Sequence, residues 1–260
     1  MNVDHRPTVL SLCSGIGGLD LGIAMALGGA RTVCHVEIEA ACCELLARRM
    51  EEGRLDEAPV WSDLRTFDGK PWRRKISILA AGYPCSPFSF AGRGLAEKDP
   101  RHLWPEVARI ISEVQPRLVV LENVPAHIRR GLDRVLTDLD SLRFNAEWGV
   151  YSASQAGAPQ KRKRIFIVAY PHGERPQGWH GPLSEGTNEL PSWPLGPEDD
   201  WSYVPTEFRP AIVASIRNRV DGVSVRVDRL RALGNAVCPP QAKLALTDLL
   251  TRIERHHYGI

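Results

Sequence analysis

The sequence predicts an α/β fold with a doubly wound, mostly parallel sheet, because short apolar runs alternate with segments of helical spacing. Residues 8–13 (TVLSLC) are followed by a glycine turn and then by LDLGIAMALGG, whose apolar residues recur at helical intervals. Residues 32–38 (TVCHVEI) lead in the same way into AACCELLARRM. Strands that alternate with helices form a parallel sheet with both faces covered.

Three further apolar runs extend the predicted sheet. They are residues 76–82 (ISILAAG), 117–124 (RLVVLENV) and 164–170 (RIFIVAY), and a further helical stretch is expected at 128–139. The segment PPQAKLALTDLLTRIE near the end of the chain also has helical spacing. We expect this segment to pack back on the first domain.

The composition of the chain changes after residue 170. Residues 171–210 hold eight of the 20 prolines and three of the seven tryptophans, with few long apolar runs. We therefore expect three parts: a first domain over residues 1–170, a small irregular region over 171–230, and a segment over 231–260 that returns to the first domain.

The overall composition is that of a folded globular protein, with 260 residues, 43% apolar and 25% charged. A net charge of +2 is too small to indicate a nucleic-acid partner by itself. The six cysteines include no CxxC pair, which argues against a zinc site or a disulfide framework. The first residues lack the features of a signal peptide, and no apolar run approaches the ~20 residues of a membrane helix. We expect a cytoplasmic protein with no metal and no membrane segment.

A glycine-rich turn and two acidic residues point to a nucleotide-like ligand. In the turn at 14–22 (SGIGGLDLG), backbone amides and a helix N-terminus can receive such a ligand, although glycine turns serve simple packing about as often. Glu37 ends the second strand, where it could accept both ribose hydroxyls, and Asp63 follows in the third unit, where it could bind an adenine amino group. Single acids at strand ends are more often solvated loop residues, so their order on successive strands carries this hypothesis.

A cysteine, a glutamate and two arginines are the candidate catalytic groups. Cys85 lies between prolines in GYPCSPFSFAG, after the carboxyl end of a strand, where open parallel sheets bind ligands. Glu122 ends the next strand, and a charged residue there needs a partner or a function. Arg162 and Arg164 in QKRKRIFIV are expected on one face of a strand; the alternative is a solvated basic run.

Taken in order, these motifs resemble those of the cytosine-5 DNA methyltransferase family over most of the chain. Four motifs in the family's order make the resemblance specific. They are a Pro-Cys pair followed by Phe-Ser-x-Ala-Gly (Pro84, Cys85, Phe88, Ser89, Ala91, Gly92), Glu-Asn-Val (Glu122, Asn123, Val124), Gln-x-Arg-x-Arg (Gln160, Arg162, Arg164) and Gly-Asn-x-Val (Gly234, Asn235, Val237).

The resemblance implies an S-adenosylmethionine-dependent methyltransferase fold and methylation of carbon 5 of a flipped-out cytosine in double-stranded DNA. Cys85 would attack carbon 6, Glu122 would bind ring nitrogen 3, and Arg164 with Arg162 would hold the cytosine carbonyl oxygen. Residues 1–170 become the catalytic and cofactor-binding domain, and 171–230 the target-recognition region. We expect a monomer, bacterial or phage-encoded, of the kind found in restriction-modification.

The resemblance also implies two sets of binding residues. Residues expected around the cofactor are Cys13, Ser14, Gly15, Ile16, Gly18, Glu37, Ile38, Asp63, Leu64, Pro84, Leu103, Asn235 and Ala236. Residues expected to contact DNA are Ser86, Ser89, Arg93, Gln160, Arg217, Arg219 and Arg226, with Arg229 in the same region.

The chain departs from the family pattern at three positions. Cys13 and Ser14 stand where the family usually has Phe-Ala, which removes an aromatic contact to adenine, and Ser86 stands where Gln usually follows the nucleophile. Two alternatives to a DNA methyltransferase stay open. One is a cytosine-5 methyltransferase acting on transfer RNA, and the other is a DNA-binding homologue without activity, against which the four intact catalytic residues count.

Overall fold

The structure is a computed structural model that describes residues 4–84, 103–174 and 236–258. In these residues a seven-stranded sheet has helices packed on both of its faces. The strands are β1 (Thr8–Leu12), β2 (Arg31–Val36), β3 (Val60–Trp61), β4 (Ile78–Ala81), β5 (Leu118–Asn123), β6 (Phe144–Ser152) and β7 (Lys163–Pro171). The helices are α1 (Gly18–Leu27), α2 (Ala40–Glu51), α3 (Trp104–Val114), α4 (Leu132–Ser141) and α5 (Pro239–Tyr258).

The strand order is β3-β2-β1-β4-β5-β7-β6, which confirms the predicted doubly wound, mostly parallel sheet. Six strands, β1 to β6, run in one direction, and β7 is antiparallel to both of its neighbours, β5 and β6. The order reverses at β1, because the chain moves outward through β2 and β3 and then returns to β4. Ligands of open α/β sheets bind at such a reversal, outside the carboxyl ends of the strands.

The sheet separates two layers of apolar core. In β1, Leu10 and Leu12 join the layer formed with α3 and α4, while Val9 joins the layer formed with α1 and α5. In β7, Ile165 and Phe166 divide between the layers in the same way. This alternation follows from the two-residue period of a strand, and it requires strands that are apolar on both faces.

Two strands, one helix and one helix boundary differ from the sequence-based expectations, and the helix that was not expected is α3. The expected set lacked β3, which has only two residues, and β6, an outer strand in which polar and partly exposed residues interrupt the apolar pattern. The helical stretch expected at 128–139 is wrong at its start. A 3₁₀ helix at Pro125–Arg129 comes first, and α4 begins only after Gly131.

Glycines bring α1 and α5 into close contact. A Cβ on Gly22 would lie 2.9 Å from the Pro239 carbonyl oxygen and would overlap the Cβ of Ala242, and a Cβ on Gly18 would overlap the Val237 carbonyl. The small residues therefore let the two backbones approach. As a result, the segment that precedes α5 lies against the start of α1, directly after the glycine turn.

We predict that Gly22→Ala destabilises the protein, although alanine normally favours a helix over glycine. Forcing the helices apart should lower the free energy of unfolding by about 1–3 kcal/mol in denaturant titrations. Adding Ala242→Gly removes one of the overlapping carbons. The free energy of unfolding should therefore fall less in the double variant than the two single variants together would predict. A Gly22→Ala protein more stable than the parent would contradict this account of the packing.

Candidate active site

The ends of β1, β4 and β5 meet at Gly82. A Cβ on this glycine would lie 3.6 Å from Glu122 Oε2 and 3.7 Å from the Cys13 carbonyl oxygen. The Gly82 amide also donates to the Leu12 carbonyl at 3.3 Å. The glycine turn, the Glu122 carboxyl and the segment that leads into Cys85 therefore share one edge of the sheet.

The glycine turn after β1 has a left-handed backbone. Cys13, Gly15 and Gly17 have φ values of 50°, 54° and 79°, and the Ser14 amide donates to the Val36 carbonyl at 3.2 Å. Ser14 is buried, and its hydroxyl donates to the Ser11 carbonyl at 3.0 Å. A Cβ on Gly15 would find no atom of the described residues within 4 Å, so these residues leave space beside the turn. A ligand can approach the backbone there.

Glu37 ties the end of β2 to the glycine turn. Its Oε2 accepts from the Gly15 amide at 2.6 Å, and its Oε1 accepts from the Glu39 amide at 2.8 Å. A carboxylate has about four acceptor positions, and these two bonds from the described residues occupy two of them. Ile38, the next residue, is 59% exposed and presents an apolar surface beside this carboxylate.

Asp63 lies two residues after Trp61, whose carbonyl accepts from the Glu37 amide at 2.8 Å. Asp63 Oδ1 accepts from the backbone amide and from Nε of Arg65, each at 3.0 Å. These hydrogen bonds lower the pKa of Asp63, so the group is a carboxylate. The half-exposed indole of Trp61 donates to the Asp63 carbonyl at 3.1 Å and so fixes the turn; the sequence analysis did not single out this tryptophan.

Glu122 is a buried carboxyl paired with an arginine. Arg164 Nε lies 2.8 Å from Glu122 Oε1, and the side chains are 16% and 7% exposed. Burial raises the pKa of Glu122 to about 7, against the opposing effect of the positive charges of Arg164 and Arg162. The pair is a charge contact rather than an aligned hydrogen bond, because Oε1 accepts no hydrogen bond from the described residues.

Arg162 connects this pair to the segment before α5. It precedes β7, and its Nη2 donates to the Ala236 carbonyl at 2.7 Å. The buried amide of Gln241 donates to the Arg162 carbonyl at 2.9 Å. Gln241 was not predicted, because a glutamine in a helical pattern does not indicate which backbone group it binds.

The remaining predicted residues have different environments. The side chains of Ile16 and Leu64 are buried, so a ligand at these positions would meet the backbone. Leu103 is partly buried against the core, Pro84 and Gln160 are exposed, and Gly18 packs on Val237. Nine of the predicted catalytic and binding residues lie outside the described residues: Cys85, Ser86, Ser89, Arg93, Arg217, Arg219, Arg226, Arg229 and Asn235.

Two general features of the described residues bear on the class of site. Within residues 4–84, 103–174 and 236–258, His, Cys, Asp and Glu side chains form no group of three or more suited to a metal ion. Among the helices in these ranges, none is both long enough and apolar enough to cross a membrane.

We predict that Glu122 makes the stability of the protein fall as the pH rises. The carboxyl has a pKa of about 7 in the folded chain and about 4.5 as an ordinary glutamate, so between these values the folded state holds a proton that the unfolded state releases. The stability lost across this window is about 3 kcal/mol. Relative to the parent, Glu122→Gln should therefore gain stability between about pH 5 and about pH 8 in denaturant titrations. Parallel stability curves for the two proteins would show that Glu122 does not titrate in this range.

The sequence of this chain is similar to those of known methyltransferases. The type II methyltransferase M.NgoMIV of Neisseria gonorrhoeae is 33% identical over 171 residues, which cover 62% of this chain and 51% of that protein. The type II methyltransferase M.NaeI of Lentzea aerocolonigenes is 28% identical over 263 residues, covering 90% of this chain and 60% of that protein. This chain thus spans about half the length of the first relative and less than two thirds of the second.

A solved structure and a family sequence model are also similar to this chain. The crystal structure of Spodoptera frugiperda DNMT2 superposes with a TM-score of 0.62 at 14% identity, covering 95% of this chain and 100% of that one, and therefore shares the fold. The sequence model of the family described as C-5 cytosine-specific DNA methylase matches residues 7–195, well over half of the chain. The chain therefore belongs to the C-5 cytosine-specific DNA methylase family, and the resemblance noted from its motifs is confirmed.

Proposed function

We propose that this protein transfers a methyl group from S-adenosylmethionine to carbon 5 of cytosine in double-stranded DNA, through a covalent adduct with Cys85. The observation that carries the proposal is the buried Glu122–Arg164 pair beside Gly82, which stands three residues before Cys85. A titratable carboxyl at the carboxyl end of a parallel strand, close to the glycine from which the chain continues to a candidate nucleophile, suits general acid-base catalysis on a bound base.

The residues around the glycine turn fit S-adenosylmethionine. Glu37 offers free acceptor positions for the two ribose hydroxyls, and Asp63 offers a carboxylate for the adenine amino group. The exposed side chain of Ile38 offers an apolar surface for the purine, and the open space at Gly15 admits the rest of the molecule. When bound, this cofactor supplies an electrophilic methyl group on a sulfonium.

Cytosine must be activated before its carbon 5 can accept a methyl group. The thiolate of Cys85 would form a bond to carbon 6, which makes carbon 5 nucleophilic. After carbon 5 has gained the methyl group it loses its proton, and the bond between carbon 6 and the Cys85 sulfur breaks. Cysteine is thereby regenerated.

Glu122 and the two arginines would assist the attack of Cys85. With a pKa of about 7, the Glu122 carboxyl is present in both protonated and ionised forms near neutral pH. The protonated form can donate to ring nitrogen 3 and draw off the negative charge that develops on the ring. Arg164, with Arg162 in support, would hold the cytosine carbonyl oxygen, and the neighbouring carboxyl limits how far the Arg164 guanidinium can turn.

Base access and target choice involve other parts of the chain. A cytosine stacked inside a duplex cannot reach a buried carboxyl, so the base must be rotated out of the helix at a cost of a few kcal/mol. We assign the contacts that hold DNA to exposed Gln160 and to the residues proposed above in the 86–93 segment and in the 171–230 region, whose arginines suit phosphates.

We predict that Asp63→Ala weakens cofactor binding. Loss of one hydrogen bond to a charged group should lower the affinity for S-adenosylmethionine by about tenfold or more in calorimetry. The matched control is Asp68→Ala, which removes an exposed carboxylate that accepts from the Lys70 amide a few residues away and should leave the affinity unchanged. Equal affinities for the parent and the Asp63 variant would remove Asp63 from the site.

The covalent step is tested by trapping it. The target sequence is first identified by bisulfite sequencing of plasmid DNA from cells that express the protein. In a duplex with 5-fluorocytosine at that site, the fluorine cannot leave as a proton does, so we predict a denaturation-resistant protein–DNA adduct that requires S-adenosylmethionine. Cys85→Ala should abolish the adduct, and Glu122→Gln should slow its formation by about 100-fold.

The controls for trapping separate the alternatives. Cys34→Ala removes a buried thiol in the core and should leave the adduct intact. Methyl transfer to transfer RNA but not to duplex DNA would favour the RNA alternative, and transfer to neither would favour the inactive homologue. An adduct that survives in Cys85→Ala, or its absence from the parent on a duplex that it methylates when unfluorinated, would refute the mechanism.

A further inference from the structure

A buried hydrogen bond joins Tyr83 to His127 beside the candidate site. The Tyr83 hydroxyl lies 3.0 Å from His127 Nε2, and the two residues are 3% and 6% exposed. The rings meet edge-on with centroids 5.7 Å apart, and the indole of Trp104 lies 5.5 Å from the Tyr83 ring. The Tyr83 side chain is therefore enclosed on two sides and hydrogen-bonded at its tip.

The backbone of Tyr83 is held by the same part of the molecule. Asn123 Nδ2 donates to the Tyr83 carbonyl at 3.0 Å, and the Asn123 side-chain oxygen accepts from the Val124 amide at 2.8 Å. Asn123 directly follows Glu122 in β5, and the His127 amide donates to the Val124 carbonyl at 3.0 Å. The end of β5 and the turn after it thus hold both the Glu122 carboxyl and the residue two positions before Cys85.

Packing alone does not require the hydroxyl of Tyr83 or the imidazole of His127 in the buried region beside Trp104. An apolar ring would pack against Trp104 without a partner, whereas a buried hydroxyl and a buried imidazole each lose solvation unless they are paired. Burial lowers the pKa of His127 to about 4, so the imidazole is neutral at ordinary pH and the pair persists over the working range of an enzyme. A Cβ on Gly131 would lie 3.2 Å from His127 Cε1, so the chain leaves room for the imidazole.

We propose that Tyr83 and His127 are positioning residues, whose hydrogen bond sets where the segment leading into Cys85 begins relative to Glu122. The inference rests on the proposed function, because the pair is proposed to align the nucleophile Cys85 with the acid Glu122. Neither side chain is assigned a contact with the base or the cofactor. Alignment matters because small displacements of reacting groups lower the rate far more than they lower binding.

The test is a double-mutant cycle on methyl transfer to duplex DNA. Tyr83→Phe and His127→Leu should each lower kcat by about tenfold, which corresponds to about 1.4 kcal/mol, while KM for DNA and the affinity for S-adenosylmethionine change by less than about twofold. The double variant should be no slower than the slower single variant, because both changes break one hydrogen bond. His127→Gln keeps a polar nitrogen near the position of Nε2 and should recover most of kcat.

Tyr151→Phe is the matched control for a purely structural effect. Its hydroxyl donates to Asp248 at 2.5 Å and accepts from Arg252 at 2.9 Å, and Tyr151 belongs to the apolar layer on the other face of the sheet from Tyr83. Loss of this hydroxyl should lower stability as Tyr83→Phe does, but should leave kcat unchanged. If the two Tyr→Phe variants lose the same fraction of kcat, or if the cycle is additive, the positioning role is refuted.

Amide hydrogen exchange gives a result that does not depend on activity. Tyr83→Phe and His127→Leu should accelerate exchange in the peptide that contains residues 79–84, and Tyr151→Phe should not. Unchanged exchange in this peptide would overturn the proposal even if the parent is active. A parent protein that methylates neither DNA nor RNA would refute the proposed function instead, and faster exchange would still show that the pair holds this segment.

Discussion

The burial of the Glu122 carboxyl is the constraint on which the site depends. A carboxyl at 7% side-chain exposure ionises near neutral pH only because arginine charges offset part of its lost hydration. That compensation requires β7 to lie beside β5, so that the residue at the start of β7 reaches the end of β5. The antiparallel insertion of β7 into an otherwise parallel sheet is what places an arginine from late in the chain against a glutamate from its middle.

Much of the fold and of the candidate site follows from local patterns. Strands that are buried on both faces appear in the sequence as continuous apolar runs, which are easy to recognise. The strands of this kind are β1, β2, β4, β5 and β7. Since ligands bind at the carboxyl ends of such strands, the sequence alone indicates Glu37 and Glu122 as candidate site residues. The position of Cys85 after a strand and the spacing of Arg162 and Arg164 make these residues candidates in the same way, and the motifs of the family to which the chain belongs imply their roles.

The contacts that local patterns did not reveal are between distant segments. The amide of Gln241 binds the backbone of Arg162, and the hydroxyl of Tyr83 meets His127 forty-four positions later. Spacing along a helix or strand indicates which face is buried, but it does not indicate which polar group of a distant segment a side chain on that face will bind. The outer strand β6 was missed for a related reason, because a strand with one neighbour needs less apolar character.

The close approach of α5 to Gly18 and Gly22 has a consequence for the order of assembly during synthesis. The surface of α1 that these glycines open is covered by residues made more than 200 positions later. A nascent chain that already contains the glycine turn, Glu37 and Glu122 still lacks both the cover of α1 and the Ala236 carbonyl that receives Arg162. Contacts of such long sequence separation form late and slowly. Completion of the site is thereby coupled to the synthesis of α5 and of the segment that precedes it.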